Sequence, residues 1–262
     1  MKLLKITNSP KDHSGKKAPA ISADRRRHYD DACATAHALD LIGDRWALPV
    51  MRELMWGPKR FSDLRARLPG ISANVLTQRL DELEAVGILT RRKLPPPAAS
   101  QVYELTGWGY ESEPIFQALG RWASRSPTHD PSLPFGTSSL LLSLRAMLDA
   151  DLADGIDARI GFHLGDENFL AHLAGGEIDI GPLTSNSVTS NGAVSTEAMF
   201  DGADVVFTGA ARMIAAAIYG GQRLADLEAA GAVTVEGDRR LAKRFVTLFP
   251  LPPKADLPVR GR

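Results

Sequence analysis

Cysteine is nearly absent from the sequence, and apolar runs long enough to cross a membrane are missing. Cys33 is the only cysteine among the 262 residues, which excludes an internal disulfide. The apolar stretch GAARMIAAAIYGG carries Arg212 and falls short of the roughly 20 residues that span a bilayer. The amino terminus has too short an apolar stretch for a signal peptide. We therefore expect a soluble, cytoplasmic protein with no membrane partner.

A net charge is also missing, because 31 Lys and Arg residues balance 31 Asp and Glu residues. The balance hides an asymmetry. Residues 1–127 hold 20 basic and 14 acidic residues, whereas residues 128–262 hold 11 basic and 17 acidic residues. A basic half joined to an acidic half predicts two domains with different partners, and the basic half is a candidate for binding nucleic acid.

Enzyme motifs are missing as well. The sequence contains no G-x-S-x-G, no G-x-G-x-x-G after a strand, no Walker lysine loop and no H-E-x-x-H. Asp166 and Glu167 share one predicted turn, and such paired acids are usually just solvated. Cys33 and His37 have the spacing of metal ligands on a helix, but two ligands make no zinc site. We expect neither an enzyme nor a metal site, and no cofactor.

Composition divides the chain into segments. Lys, Pro and Ser are scattered through residues 1–28, which are predicted to form a disordered basic arm. Residues 29–126 form the first predicted domain, and the Ser- and Pro-rich residues 127–137 form a linker. Residues 138–252 are the second predicted domain, and residues 253–262 are a tail.

The first domain begins with three helical patterns between residues 32 and 68. The first pattern ends at Gly43 and the second at Gly57. The third, SDLRARL, is expected to begin with Ser62 as its N-cap. A Pro-Gly turn follows it.

The next predicted helix has two different faces. Leu76, Leu80 and Leu83 recur at helical spacing and predict a buried face, with Ser72 as the N-cap. The opposite face is expected to carry side chains that can reach base edges in a major groove: Asn74, Thr77, Gln78 and Arg79. A short helix, a tight turn and this helix predict a helix-turn-helix.

Two short strands with a proline-rich connection follow Gly87. The first strand carries Arg91, Arg92 and Lys93, which can bind phosphate groups or a minor groove, and Ser100 is counted with them. A basic strand and spaced leucines are also typical of a solvated edge and an ordinary core. Their fixed order favours a winged helix-turn-helix that binds double-stranded DNA.

From Tyr29 to about Pro127 the chain resembles the HxlR-type winged helix regulators of bacteria, relatives of the MarR group. The matching segments are a cysteine ahead of ALDLIGDRW, then LMWGPKRFSDLRARLPGIS, LTQRLDELEAVGIL, LPPPAAS and YELTGWG. The resemblance implies a homodimer that binds an operator of inverted repeats. It also implies dimer contacts from the first helix and from the helix after the wing.

An apolar stripe in TGWGYESEPIFQALGRWA supports the second of these dimer contacts. Its members are spaced along one predicted helix, which Pro114 is expected to bend: Trp108, Ile115, Leu119 and Trp122. The alternative is that the stripe packs on its own domain.

Cys33 lies where several regulators resembling this one carry a redox-sensing thiol. His37, one helical turn further on, would lower the pKa of this thiol if the imidazole were protonated. The commoner alternative is a small buried residue, because free cysteine is usually interior.

The second half predicts an α+β domain with helices layered on a sheet. The segments DVVFTG, YGGQRLADLEAAGAVTVEGD and AKRFVTLF resemble the sterol carrier protein type fold. The resemblance implies an apolar cavity for a lipid-like ligand. Seven residues are candidates for its lining, although ordinary core packing is the better interpretation of each one alone: Phe162, Phe169, Met199, Phe207, Met213, Ile214 and Ile218. Residues 184–197 depart from the pattern; the alternatives for them are a flexible lid and a long loop, and the loop is expected.

Together these patterns predict an N-terminal winged helix-turn-helix domain followed by an α+β sterol-carrier-like domain. The function predicted is a homodimeric, DNA-binding transcriptional regulator whose second domain senses a small hydrophobic ligand. The alternative is a lipid-binding or carrier protein whose winged helix serves dimerisation or protein contact.

Overall fold

The computed structural model describes residues 29–95, 100–183 and 199–256. The predicted basic arm, the predicted loop at 184–197 and the end of the predicted tail lie outside the described residues. Within these three ranges, none of the helices is long and apolar enough to cross a membrane.

The first domain begins with helices whose ends follow from local chemistry; they are α1 (Ala34–Ile42), α2 (Ala47–Leu54), α3 (Phe61–Arg67) and α4 (Ala73–Ala85). Helix α1 ends at Gly43, where an added Cβ would lie only 2.3 Å from the carbonyl oxygen of Leu39. The N-cap of helix α3 lies two residues earlier than predicted. The N-cap is Arg60, whose backbone N–H donates to the carboxylate of Asp63 at 3.3 Å. The prediction of Ser62 as the N-cap is therefore wrong.

The turn into α4 agrees with the prediction. Gly70 adopts a φ of 89°, which favours glycine. The hydroxyl of Ser72 accepts a hydrogen bond from the backbone N–H of Val75 at 3.3 Å and caps the helix. The leucines of the predicted inner face are all buried. Ser72 as N-cap and the buried leucine face are confirmed.

The wing is an antiparallel pair of strands, β1 (Leu89–Lys93) and β2 (Gln101–Leu105). The segment after it forms two helices, α5 (Gly107–Tyr110) and α6 (Glu113–Ser124), where one bent helix was predicted. Pro114 lies in the first turn of α6, where proline is tolerated because the N–H there has no helical partner. The predicted bend at Pro114 is therefore wrong.

The second half contains a five-stranded sheet with helices packed on one face. Its elements are α7 (Thr137–Met147), β3 (Asp157–Leu164), β4 (Glu167–Ala174), β5 (Glu177–Pro182), β6 (Val205–Gly209), α8 (Ala211–Ile218), α9 (Leu224–Ala229), β7 (Val233–Gly237) and α10 (Arg239–Phe245). The strand order is β5-β4-β3-β6-β7, and β3 and β6 run parallel whereas the other neighbours are antiparallel. The chain is thus a mixed α+β protein with a winged helix at its amino-terminal side.

The two halves share buried apolar contacts. One cluster of buried side chains runs from α2 and α4 through α7 into the sheet. The ring of Trp56, just after α2, meets the ring of Phe169 in β4 edge to face, with centroids 5.7 Å apart. The second domain is therefore packed against the helix-turn-helix.

The segment after α10 returns to the end of α6. The backbone N–H of Ala255 donates to the carbonyl of Arg125 at 2.8 Å, and the ammonium of Lys254 donates to the carbonyls of Ser124 and Ser126. The guanidinium of Arg125 donates in turn to the carbonyl of Pro253 at 3.1 Å. Carbonyls at a helix carboxyl end lack helical partners, so this segment of the predicted tail caps α6.

Candidate nucleic-acid interface

Helix α4 turns a polar face toward solvent. Asn74, Thr77 and Gln78 are exposed, and Ser72 is exposed at the helix start. The amide of Gln78 donates to the carboxylate of Glu82 at 2.9 Å, one helical turn on. The structure thus brings together the predicted base-contacting side chains of this helix, except Arg79.

Arg79 lies on the flank of the buried face. Its side chain is 10% exposed, and its guanidinium pairs with the carboxylates of Asp44, at 2.5 Å, and of Glu82. At about 100° per residue, Arg79 stands only about 60° from Leu76 around the helix. A guanidinium in this position needs acidic partners when it is buried. The prediction that Arg79 belongs to the outward face is therefore wrong.

The arginines of the wing already have acidic partners. Arg91 pairs with Asp81 and with Glu84, the latter at 2.7 Å, and its guanidinium lies 5.5 Å from the centroid of the Tyr103 ring. The guanidinium of Arg92 pairs with the carboxylate of Glu104 across the two strands. The basic residues are where the sequence predicts them, and their charges are partly neutralised.

Two further wing residues differ in their partners. Lys93 is exposed and forms no ion pair with any residue that the structure describes. The hydroxyl of Ser100 accepts a hydrogen bond from the guanidinium of Arg60 at 3.0 Å. This bond joins the wing to the start of α3.

The predicted dimer stripe is exposed along α5 and α6. Trp122 is 74% exposed and Trp108 is 51% exposed, and Ile115 and Leu119 are exposed with them. Leu39 of α1 is also half exposed. Exposed large apolar side chains on α5 and α6 are of the kind that a partner covers.

Cys33 is the N-cap residue of α1 and is exposed, so the alternative of a buried cysteine is excluded. Hydrogen bonds from the backbone N–H groups of Ala36 and, next, Thr35 lower the pKa of the thiol below its ordinary value. The ring of His37 points instead toward Asp40, with 4.0 Å between Nδ1 and the carboxylate oxygen. The thiolate is therefore favoured by the helix start.

The predicted ligand-lining residues fall into two groups. Phe162, Phe169, Phe207 and Ile214 are fully buried, whereas Met199, Met213 and Ile218 are half-buried. The rings of Phe162 and Phe207 stack with centroids 5.8 Å apart, and both rings contact that of Phe245. Phe162 and Phe207 thus belong to a closed aromatic core, and Phe169 and Ile214 are buried in the wider hydrophobic core.

Two surface grooves lie elsewhere. One groove of about 570 Å³ separates α6 and α7 from β4 and β5 and is lined by polar side chains that include Glu113, Arg145, His172 and Asp179. Another lies between Trp122 and Pro253. Neither groove is lined by any of the seven predicted residues.

Contacts between the two halves were not predicted from the sequence. The carboxylate of Glu167 accepts from the ammonium of Lys59 at 2.9 Å and from the guanidinium of Arg67 at 2.6 Å. Asp166 is 88% exposed, as expected for the turn, but Glu167 is not. The partners of Glu167 are 108 and 100 residues away in sequence, so no local pattern could have found them.

A buried carboxylate forms a second contact between the halves. Glu53 of α2 is 3% exposed and accepts a hydrogen bond from the hydroxyl of Ser138 in α7 at 2.9 Å. Arg52 pairs with the same carboxylate at 2.8 Å. In the sequence, this contact is signalled by Glu53 itself, an acidic residue on the apolar inner face of α2.

The helix-turn-helix, the two-stranded wing and the polar outer face of α4 define a winged helix-turn-helix protein. A family model described as HxlR-like helix-turn-helix matches residues 41–130. The HTH-type transcriptional regulator YodB of Bacillus subtilis is 38% identical over 88 residues, which are 34% of this chain and 79% of the relative. The regulator YvaP of the same organism is 36% identical over 87 residues, 33% of this chain and 81% of the relative. The chain belongs to the HxlR-like helix-turn-helix family.

The solved structure of the reduced form of YodB from B. subtilis is 34% identical to this chain, with a TM-score of 0.35. The match spans 38% of this chain and the whole of the YodB chain. The family model likewise covers only part of the chain, residues 41–130.

Proposed function

We propose that the protein is a cytoplasmic transcriptional regulator that binds double-stranded DNA as a homodimer on an inverted-repeat operator. The observation that carries this proposal is the exposed polar face of α4, presented after the tight turn from α3. Membership of the family adds to it, because relatives such as YodB and YvaP are named HTH-type transcriptional regulators.

Sequence reading is assigned to three side chains of α4. Asn74 and Gln78 each carry an amide that can make paired hydrogen bonds to adenine, and the methyl group of Thr77 can contact thymine. Each good paired contact contributes about 1 to 3 kcal/mol of discrimination. Ser72 lies at the helix start, where free backbone N–H groups favour a phosphate. Arg79 holds α4 against Asp44 in this proposal and reads no base.

The wing is assigned to the phosphate backbone. Lys93, which has no acidic partner among the described residues, binds a phosphate without exchanging one. Arg91 and Arg92 exchange acidic side chains for phosphates, so their net contribution to affinity is smaller than that of a free cation. Ser100 and Arg60 lie beside them and complete this surface. Phosphate contacts position the protein without reading sequence.

Dimerisation is assigned to the stripe of Trp108, Ile115, Leu119 and Trp122. Aromatic residues at the centre of a desolvated patch contribute most to such interfaces. A two-fold dimer would place two α4 helices in successive major grooves, which is the reason an inverted repeat is expected.

An input signal is assigned to the second domain. The proposed signal is a small hydrophobic ligand, and Met199, Met213 and Ile218 are the predicted lining residues that are not fully buried. Such a ligand regulates only if it binds the DNA-competent and incompetent arrangements with different affinity. Cys33, exposed and with a lowered thiol pKa, is a separate candidate for an oxidant signal.

The test is a mobility-shift titration with DNA from upstream of the protein's own coding sequence and with a scrambled duplex, at several salt concentrations. Preferential binding of the upstream DNA, with an inverted-repeat footprint, supports the regulator. Equal binding of both duplexes that disappears with salt contradicts it. In that case a carrier protein, whose winged helix only dimerises, becomes the better interpretation.

A further inference from the structure

Glu167 stands at the contact between the sheet and the helix-turn-helix. One carboxylate oxygen accepts from Lys59 at 2.9 Å and the other from Arg67 at 2.6 Å. The side chain of Lys59 is 8% exposed and that of Glu167 is 18% exposed. The ion pair is therefore largely removed from water, where an unpaired charge is costly.

The two cations belong to different parts of the winged helix that carries the proposed DNA-binding surface. Arg67 is the last residue of α3, the first helix of the helix-turn-helix. Lys59 precedes α3 and is joined to the wing strand β2 by two backbone hydrogen bonds with Tyr103, of 3.0 and 2.9 Å. One carboxylate of the second domain thus holds both α3 and the residue that is paired with the middle of β2.

Neighbouring contacts make this junction firm. The ring of Phe169, two residues along β4, packs against Trp56, and the guanidinium of Arg145 lies 5.1 Å from the Trp56 ring centroid. The same guanidinium donates to both carboxylate oxygens of Glu113 at 2.6 and 2.7 Å, which ties α7 to the start of α6. These contacts hold β4, and with it Glu167, in a fixed position relative to the winged helix.

We propose that Glu167 is a positioning residue of the DNA-binding surface, whose carboxylate sets the wing relative to α3 through Lys59 and Arg67. This inference rests on the proposed function. It makes the second domain a structural part of the DNA-binding unit and gives a signal received there a direct route to the wing.

The test compares Glu167→Gln with Asp166→Asn. Both substitutions remove one negative charge, at neighbouring positions, and preserve the side-chain size. Any nonspecific gain in attraction to DNA is therefore the same in the two variants. Asp166 is the suitable control because it is 88% exposed and lies 3.5 Å from Arg67. Only Glu167→Gln removes the charge that faces Lys59.

The first measurement is amide hydrogen exchange without DNA. For Glu167→Gln we expect exchange at Lys59 and Tyr103 to be at least about tenfold faster than in the wild type, with the Leu80 amide of α4 unchanged as an internal reference. For Asp166→Asn we expect wild-type exchange within about twofold. Equal exchange in the two variants, or acceleration that includes Leu80, overturns the positioning role.

The second measurement is the ratio of operator to scrambled-duplex affinity at fixed salt. We expect this ratio to fall about tenfold in Glu167→Gln, which is a typical size for the energetic coupling of two separate sites in a protein. In Asp166→Asn the ratio should stay unchanged. An unchanged ratio in both variants overturns the proposal. A wild type that does not discriminate the duplexes contradicts the proposed function instead, and the exchange result is independent of it.

If Glu167→Gln does not fold, Glu167→Asp replaces it. This variant keeps the charge but shortens the side chain, so that it can no longer reach both cations well. Exchange at Tyr103 between the wild-type and unfolded rates is then expected, and wild-type exchange overturns the proposal.

Discussion

The two halves of the chain differ in where their predicted functional residues lie. In the winged helix, Asn74, Thr77 and the stripe on α5 and α6 are on the surface. In the second half, Phe162 and Phe207 lie in a closed core. Exposed polar or aromatic residues in a fixed order are therefore recognisable from the sequence, whereas apolar residues that line a pocket have the same pattern as residues that fill one.

The substitution expected to change the protein most tests whether the cluster of Phe162, Phe207 and Phe245 is a packed core. Phe207→Ala removes a ring that contacts both Phe162 and Phe245. We expect the free energy of unfolding to fall by about 3 to 5 kcal/mol in urea titrations, as for other buried phenylalanines. Met213→Ala, at a half-buried position, is the control and should cost less. A loss below about 1 kcal/mol for Phe207→Ala would instead indicate an open cavity.

The next prediction concerns the exposed stripe. Trp122→Ala is expected to raise the dimer dissociation constant by roughly thirtyfold or more, because a central aromatic contributes about 2 kcal/mol or more to an interface. Analytical ultracentrifugation measures this change. Leu133→Ala, at an exposed leucine outside α5 and α6, should leave the dimer intact. If the two variants dimerised equally well, Trp122 would not belong to the dimer interface.

A third prediction distinguishes the base contact assigned to Asn74 from the structural role assigned to Arg79, both in α4. Asn74→Ala should lower operator affinity by about 1 to 3 kcal/mol while leaving scrambled-duplex affinity and stability unchanged. Arg79→Ala should lower the free energy of unfolding by about 1 to 3 kcal/mol, because it breaks the pairs with Asp44 and Glu82. Fluorescence anisotropy and urea titration measure the two effects. An unstable Asn74→Ala variant would argue that Asn74 is structural.

A fourth prediction distinguishes the cations of the wing. Lys93→Ala should reduce the slope of the logarithm of DNA affinity against the logarithm of salt concentration by about 1, since one phosphate contact is lost. Arg92→Ala should reduce the slope less, because its charge is already paired with Glu104. Titrations at four or more salt concentrations measure both slopes. A larger change for Arg92→Ala would show that the pair opens completely on DNA.

The smallest effect concerns Cys33. Its thiol pKa is lowered by the N–H groups of Ala36 and Thr35, which favour the thiolate only while α1 is folded. The alkylation rate should therefore reach half its plateau at a lower pH in the native protein than in the chain unfolded by urea, where about 8.5 is expected. Stopped-flow alkylation over a range of pH measures both curves. Coinciding curves would remove the basis for a reactive thiol.

Local features of the winged helix were predictable because each depends on neighbours in sequence. Ser72 caps α4 through Val75, three residues away, and the leucine spacing alone identifies the buried face. Arg79 was misassigned because a flank position can belong to either face, and the residue that decides it, Asp44, is 35 residues away. Glu167 was missed for the same reason at a longer range. The partners of Arg79 and Glu167 leave no trace in the local pattern around these two residues.

The cap on α6 changes the mechanics of the second domain. Residues 127–136 leave the end of α6, and Lys254 and Ala255 return to the same end. Both ends of the second domain are therefore fastened at the same end of α6, while its sheet shares a buried core with the helix-turn-helix. Separation of the two halves requires the cap on α6 and these buried contacts to break together.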